Sequence, residues 1–206
     1  MTITIHGVPN SSYVRTARMA CIEKGLAHTL EAPIEGLHPW KRVPVLRHGD
    51  VTLYETSAIL RYVEEIGTGP SLLPATAAAR GLMEQWISAI NCYLYETLVR
   101  GYAFSYIGPM LAGKDPDPAQ IRASLPALDR DIGRLDAAYA KHAFIAGDAP
   151  SLADLLVAPI IQTVRMFPEG KRAVSAAGNL SRAYTALAAR PSFGTVHAGM
   201  PGAPPA

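Results

Sequence analysis

The residues most suited to chemistry stand together in one short stretch, V-P-V-L-R-H-G-D-V-T-L-Y-E-T-S-A-I, residues 43–59. Glu55 and Thr56 close a β-rich run and open a helical pattern. A helix N-terminus there offers unpaired backbone N–H groups and a partial positive charge to a ligand carboxylate. The Glu55 carboxylate beside it suits an ammonium group. Carboxylate and amine side by side make the end of an α-amino acid, so the pair predicts recognition of such an end. Val43 precedes Pro44, and a cis peptide is essentially a proline feature, so a bend at this bond would turn backbone amide groups outward. A β-hairpin followed by an ordinary capped helix is the plain structural alternative, and these residues alone do not separate the two.

The flanking pattern supplies elements to hold them. Val43–Leu46 and Val51–Tyr54 are β-rich runs on either side of the turn His48-Gly49-Asp50. Thr56 or Ser57 can cap a helix whose apolar side is Ala58, Ile59, Tyr62, Val63 and Ile66, and Gly67 stops it. Upstream, Thr2–His6 alternates as a strand through Ile3 and Ile5, and residues 7–11 form a loop. A helix follows with Val14, Ala17, Ala20, Cys21 and Ile22 on its apolar side and ends at Gly25; Thr29–Ile34 makes the second strand. The helix-length crossover predicts that the first two strands are parallel.

Gly67 to Pro74 reads as a linker, and no strand pattern follows it. One long helix is expected from Ala75 to about Ile107, bent near Gly101, and residues 108–118 break it. A further helix carries Ile121, Leu125, Leu128, Ile132, Leu135 and Tyr139, with Pro126 predicting a kink or a later start. Ser151-Leu152-Ala153-Asp154 is a variant of the reciprocal capping box and is assigned to folding, not catalysis; its helix continues toward Phe167 with a bend at Pro159. A last helix is expected over Leu180–Ala189, and the tail P-G-A-P-P-A reads as disordered.

Composition removes several functions. A chain of 206 residues that is 49% hydrophobic suffices for a real core in one or two domains. A formal charge of +2 with scattered Lys and Arg gives no footprint for nucleic acid. No apolar run has the length of a membrane span, and M-T-I-T-I-H-G lacks the pattern of a secretory signal. Cys21 and Cys92 lie far apart, which argues against a disulfide framework and fits the cytoplasm. The six His residues show no ligand spacing, so no metal is expected.

In order along the chain, V-P-V-L, E-T-S-A-I, F-I-A-G-D-A-P-S-L-A-D and A-R-P-S-F resemble the motifs of the cytosolic glutathione transferases. The resemblance covers nearly the whole sequence. It implies an α/β thioredoxin-like N-terminal domain (residues 1–74) that binds glutathione, an all-α C-terminal domain (residues 75–206) that lines an apolar second-substrate site, and a homodimer. It implies conjugation of the glutathione thiolate to a small apolar electrophile, with glutathione as cosubstrate and neither nucleic acid nor membrane as partner. By this resemblance Val43 presents its backbone to the cysteinyl part of glutathione with cis-Pro44 behind it, and Glu55 and Thr56 hold the γ-glutamyl end.

G-V-P-N-S-S-Y-V-R-T-A-R resembles the phi-class junction and places Ser11 on the catalytic serine, donating to the thiolate. A zeta-like alignment, in which S-S-C becomes Ser11-Ser12-Tyr13, keeps Ser12 and Tyr13 as alternates. Ser11 also reads as a plain helix N-cap, and the two roles are compatible. His6 stands at the position of the Tyr-type donor, which excludes that type. H-P-W-K-R-V-P resembles the phi-class N-P-F-G-Q-V-P and puts Trp40 at the aromatic key that docks into a partner subunit. Lys41 and Arg42 replace Gly and Gln there and are candidates for the glycine carboxylate of glutathione. The second substrate is expected along the long helix, where Tyr95, Tyr102, Phe104, Tyr106 and Met110 offer an aromatic, adaptable wall. Two other readings stay open: a glutathione-dependent isomerase or dehalogenase, against whose zeta form Glu55-Thr56 stands in place of Gln-Ser, and a non-catalytic binding or scaffold protein of the same fold.

Overall fold

Alternation buries Ile3 and Ile5 on one face of β1 (Ile3–His6). The computed structural model describes residues 2–199, so the proline-rich tail, expected to be disordered, lies outside the described residues. Helix α1 (Ser12–Glu23) ends at Gly25, whose φ of 68° suits the left-handed turn after a helix. It crosses to β2 (His28–Glu31), which pairs parallel with β1 as the crossover requires. β3 (Val45–His48) and β4 (Val51–Tyr54) form the expected hairpin around Gly49 at φ 58°, and β3 pairs antiparallel with β1. The sheet order is β2-β1-β3-β4, and α2 (Thr56–Ile66) closes the unit with Ile59, Leu60 and Val63 buried. The second strand stops at Glu31 rather than Ile34, and residues 32–44 contain Pro33, Gly36 and Pro39, which cannot sustain a ladder.

Beyond the linker every element among the described residues is helical. The expected long helix is continuous but differently wound: α3 (Ala77–Ala89), capped by Thr76, passes into a π-helical stretch (Ile90–Ala103) and then α4 (Phe104–Leu111). Such i→i+5 winding changes which side chains share a face. α5 (Pro118–Tyr139) does not start late at Pro126. Asp117 accepts from the Ala119 N–H at 2.8 Å and Pro118 takes the first helical position, and together these set the start. α6 (Leu152–Arg165) follows, then α7 (Pro168–Ala176), which the sequence pattern did not announce, and α8 (Gly178–Ala188). The A-R-P-S-F run opens one more helix, α9 (Pro191–His197), so the helix expected to be last is not the last.

Helix α1 packs between the sheet and α6, and its polar residues serve the second unit. Pro159 has no N–H for the Leu155 carbonyl one turn earlier in α6. Thr16 of α1 donates to that carbonyl at 3.1 Å instead. Lys24 and Glu64, both buried, pair at 3.2 Å and hold the linker: Lys24 donates to the Gly69 and Pro70 carbonyls, and Glu64 accepts from the Leu72 N–H and the Ser71 hydroxyl. Glu23 accepts both arms of the Arg190 guanidinium and the Ser192 hydroxyl, tying α9 to α1. The capping box at Ser151 forms as expected, and Asp154 accepts from the Ser151 N–H and hydroxyl, the Ile145 N–H and the Tyr139 hydroxyl. Both cysteines are free, Cys21 buried and Cys92 exposed. Among the described residues no helix is long and apolar enough to cross a membrane, and no His, Cys, Asp or Glu cluster could hold a metal.

Candidate functional site

One cleft of about 800 Å³ gathers the N-terminus of α1, residues 38–44, the start of α2 and one side of the π-helical stretch with α4. Ser11 is the N-cap of α1, at φ −71° and ψ 126°, and its hydroxyl accepts from the Val14 N–H at 3.4 Å. It donates to no described residue. Ser12 is buried and lies beside Tyr95. The Tyr13 hydroxyl donates to Asn91 Oδ1 at 3.0 Å, and burial raises its pKa above the usual phenol value. Of the three hydroxyls at residues 11–13, the third is bonded to the helical unit, the second is buried, and the first is held only as an acceptor.

Arg15 lies fully buried beneath this loop. It donates to Thr163 Oγ1 at 2.8 Å and, at longer range, to the carbonyls of Asn10, Ser11 and Pro159. Burial lowers its pKa to about 10, which leaves it protonated at neutral pH. The guanidinium thus fixes the Ser11 backbone against α6. A buried cation is not visible in the run V-R-T-A-R, where Arg15 looks like a solvated helix residue.

The Val43–Pro44 peptide is cis, and both residues line the cleft. The cap of α2 differs from expectation: Glu55, not Thr56 or Ser57, is the N-cap, and Thr56 is the first helical residue. Glu55 adopts φ 66°, a conformation that costs a non-glycine residue about 1–3 kcal/mol. Its side chain makes no cap bond and is 65% exposed, leaving a carboxylate at the cleft beside the open first turn of α2. His38, missed in the sequence, is buried there. Its Nδ1 accepts from the Trp40 N–H at 3.2 Å, so the ring proton sits on Nε2, 3.9 Å from Glu55 Oε1. The only signal was a His in place of the Asn of the resembled N-P-F motif. Lys41, at φ 53°, and Arg42 stand exposed at the rim.

The other end of the cleft is apolar, with Val8, Val99, Phe104, Ile107 and Leu111, and carries Tyr95, Glu96 and Arg100. Of the five residues expected as a wall, Tyr95 and Phe104 line it. Tyr102, Tyr106 and Met110 do not. Tyr102 is fully buried, donates to Glu169 Oε2 at 3.1 Å and accepts from the Gly170 N–H. Tyr106 donates to the same oxygen at 2.7 Å and stacks on Phe167 at 4.3 Å. Met110 is exposed outside the cleft. The cleft face steps through positions 91, 95, 99, 104, 107 and 111. Positions 102 and 106 fall together on another face, packed toward α7, a division that α-helical counting across a π-helical stretch does not find.

Trp40 is 65% exposed, set edge-on to Tyr54 at 5.8 Å. A separate shallow cup of about 390 Å³ lies between the long helix and α5, lined by Trp86, Ala89, Tyr93, Leu94, Arg134 and Ala137.

Two domain families match the chain. The glutathione S-transferase N-terminal domain covers residues 5–71, and the glutathione S-transferase C-terminal domain covers residues 101–191. A glutathione S-transferase of Pseudomonas putida is 30% identical over 166 residues, 75% of this chain and 71% of that protein. Glutathione S-transferase 3 of Zea mays is 28% identical over 98% of this chain and 96% of its own. Among solved structures, an apo glutathione S-transferase III superposes with a TM-score of 0.86 at 27% identity, covering 100% of both chains.

Proposed function

Because the chain belongs to the glutathione S-transferase family, we propose that it conjugates the thiolate of glutathione to small apolar electrophiles, with Ser11 donating to the sulfur. The observation that carries the role of Ser11 is its hydroxyl at the N-cap of α1, held only as an acceptor, in the cleft that also gathers Val43, Pro44, Glu55 and Thr56. In this reading the first-turn N–H groups at Thr56 take the γ-glutamyl carboxylate and Glu55 takes its ammonium. The Val43 backbone, set by cis-Pro44, pairs with the cysteinyl part. Lys41 and Arg42 at the rim meet the glycine carboxylate.

Glutathione's thiol resembles free cysteine, with a pKa near ~8.5, and lowering it by about two units needs roughly 2.7 kcal/mol in favour of the thiolate. The Ser11 hydroxyl and the positive end of α1 share that task. The rest is proximity: sulfur and electrophile are held in one cleft, and no covalent enzyme intermediate is needed. The division of labour follows the chain, with residues 1–74 for glutathione and residues 75–206 for the electrophile. The assembly is a homodimer in which Trp40 enters the partner's apolar cup between the long helix and α5. No metal takes part, and the cytoplasm is its place.

The test is a pH titration of the thiolate absorbance of glutathione on the protein. Binding with a depressed thiol pKa is the expected result. Binding without depression removes the transferase mechanism. No binding moves the protein to the scaffold reading, and turnover that returns glutathione unconsumed moves it to an isomerase.

A further inference from the structure

Beside the thiolate site the cleft holds a donor with no assigned task. Tyr13 rises from the second residue of α1 and stacks on Tyr95 with ring centroids 4.5 Å apart. Its hydroxyl donates to Asn91 Oδ1 at 3.0 Å, and all three residues line the cleft that contains Ser11. Burial, with help from Tyr95, Glu55 and Cys92, raises the Tyr13 pKa, and Arg100 only partly opposes this, so the phenol remains a neutral donor at any working pH. A purely packing role would be met by Phe. The hydroxyl adds a proton parked on a neutral amide oxygen at an exposed position, where a better acceptor can displace it.

We propose that Tyr13 donates to an oxygen of the second substrate and thereby selects electrophiles whose reactive carbon is conjugated to a carbonyl, the α,β-unsaturated ketones and aldehydes. This rests on the transferase reading above. The glutathione sulfur forms a C–S bond to the β-carbon, and the electron pair of the C=C bond moves through the α-carbon to the carbonyl oxygen as an enolate. Tyr13 donates to that oxygen while Asn91 releases it. A proton from water then adds to the α-carbon, and no group leaves. Charge grows on the oxygen only as the transition state forms, so the hydrogen bond strengthens there rather than in the ground state. The apolar side chains of Val99, Phe104 and Ile107 meet the carbon skeleton. An alkyl halide has no oxygen for Tyr13 to meet.

The experiment compares kcat/KM of the wild type and Tyr13→Phe for 4-phenyl-3-buten-2-one and for benzyl chloride, with the bound thiol pKa measured in both proteins. The expected result is a fall of about tenfold or more in the ratio of enone to chloride, carried mainly by kcat, with the thiol pKa in place. An unchanged ratio, whether both activities fall together or neither falls, overturns the assignment. A shifted thiol pKa also overturns it, because Tyr13 would then act on the sulfur. A wild type that binds glutathione and turns over neither compound overturns the transferase reading itself, a result distinguishable by the absent chloride activity.

Discussion

Ser11→Ala separates the two roles of that residue. Its cap bond to the Val14 N–H is 3.4 Å long, beyond the usual range, so loss of the cap costs at the low end, about 0.5 kcal/mol. The loop keeps its place because Arg15 holds it by the carbonyls of Asn10 and Ser11, which the substitution does not touch. The variant should therefore fold. On the sulfur side, a hydroxyl bond to a charged acceptor contributes about 1.5–3 kcal/mol. At 1.36 kcal/mol per unit, that is roughly one to two pKa units. The N-terminus of α1 remains in the variant and supplies about 0.3–1 kcal/mol, less than one unit. The bound thiol should thus move most of the way back toward ~8.5. Turnover at saturating glutathione should fall about 10- to 100-fold at pH 6, where thiolate is scarce, and the gap should close toward pH 9. KM for glutathione should change little, since its charged ends are assigned to Glu55, Thr56, Lys41 and Arg42. The assays are the thiolate titration and the pH profile of kcat. A bound thiol pKa that does not move, or a turnover gap equal at both pH values, would refute the reasoning.

Other perturbations test the scaffold and the assembly. Lys24→Met leaves the buried Glu64 without its cation and two linker carbonyls without a donor, so urea unfolding should show a loss of about 3–5 kcal/mol; less than about 1 would mean the pair is not what holds the linker. Burial, aided by the Arg15 charge and opposed by the Phe193 carbonyl, lowers the pKa of His197 to about 3. That is below the unfolded value of about 6.5, so the stability tied to its neutral form is complete above pH 6.5 and is lost as pH falls toward 3. Unfolding free energies should show a decline of about 2 kcal/mol between pH 7 and 5 that His197→Leu lacks, and equal slopes in both proteins would sink the idea. Trp40→Ala should weaken dimerisation about 30-fold or more in sedimentation equilibrium, and an unaffected dimer would remove Trp40 from the interface.

The parts of the site that depend on local rules were legible. Alternation in T-I-T-I-H, the turn at H-G-D and the crossover length gave the first strand, the hairpin and the parallel pairing of β1 with β2. S-L-A-D gave the capping box, because both partners lie within one turn. What failed depends on contacts distant in sequence. Glu55 takes the N-cap position against the preference for Ser or Thr, as part of a first turn built beside cis-Pro44 and His38. Tyr102 and Tyr106 were placed at the cleft because their aromatic character was visible and the winding of residues 90–103 was not. Arg15 and Thr16 lie off the apolar series of α1 in the sequence, and only the α6 carbonyls beside them reveal their use. Helix α7 has no apolar period in P-E-G-K-R-A-V and owes its place to Pro168 at its start and to Tyr102 and Tyr106 binding Glu169.

The clasp of Glu23 by Arg190 spans 167 residues of sequence, and it bears on the order in which the ribosome delivers the chain. Helix α1 and its sheet emerge early, yet Arg15, Thr16 and Glu23 meet their partners only when α6 and then α9 leave the exit tunnel. Until termination the first unit carries a buried-type arginine and an unclasped glutamate on an unfinished surface, and a nascent chain in that state is prone to association. A premature stop just before Arg190 would spare every residue assigned to glutathione and still strip a support from the helix that Ser11 caps. Late frameshifts in such a gene should therefore behave as lesions of its first domain.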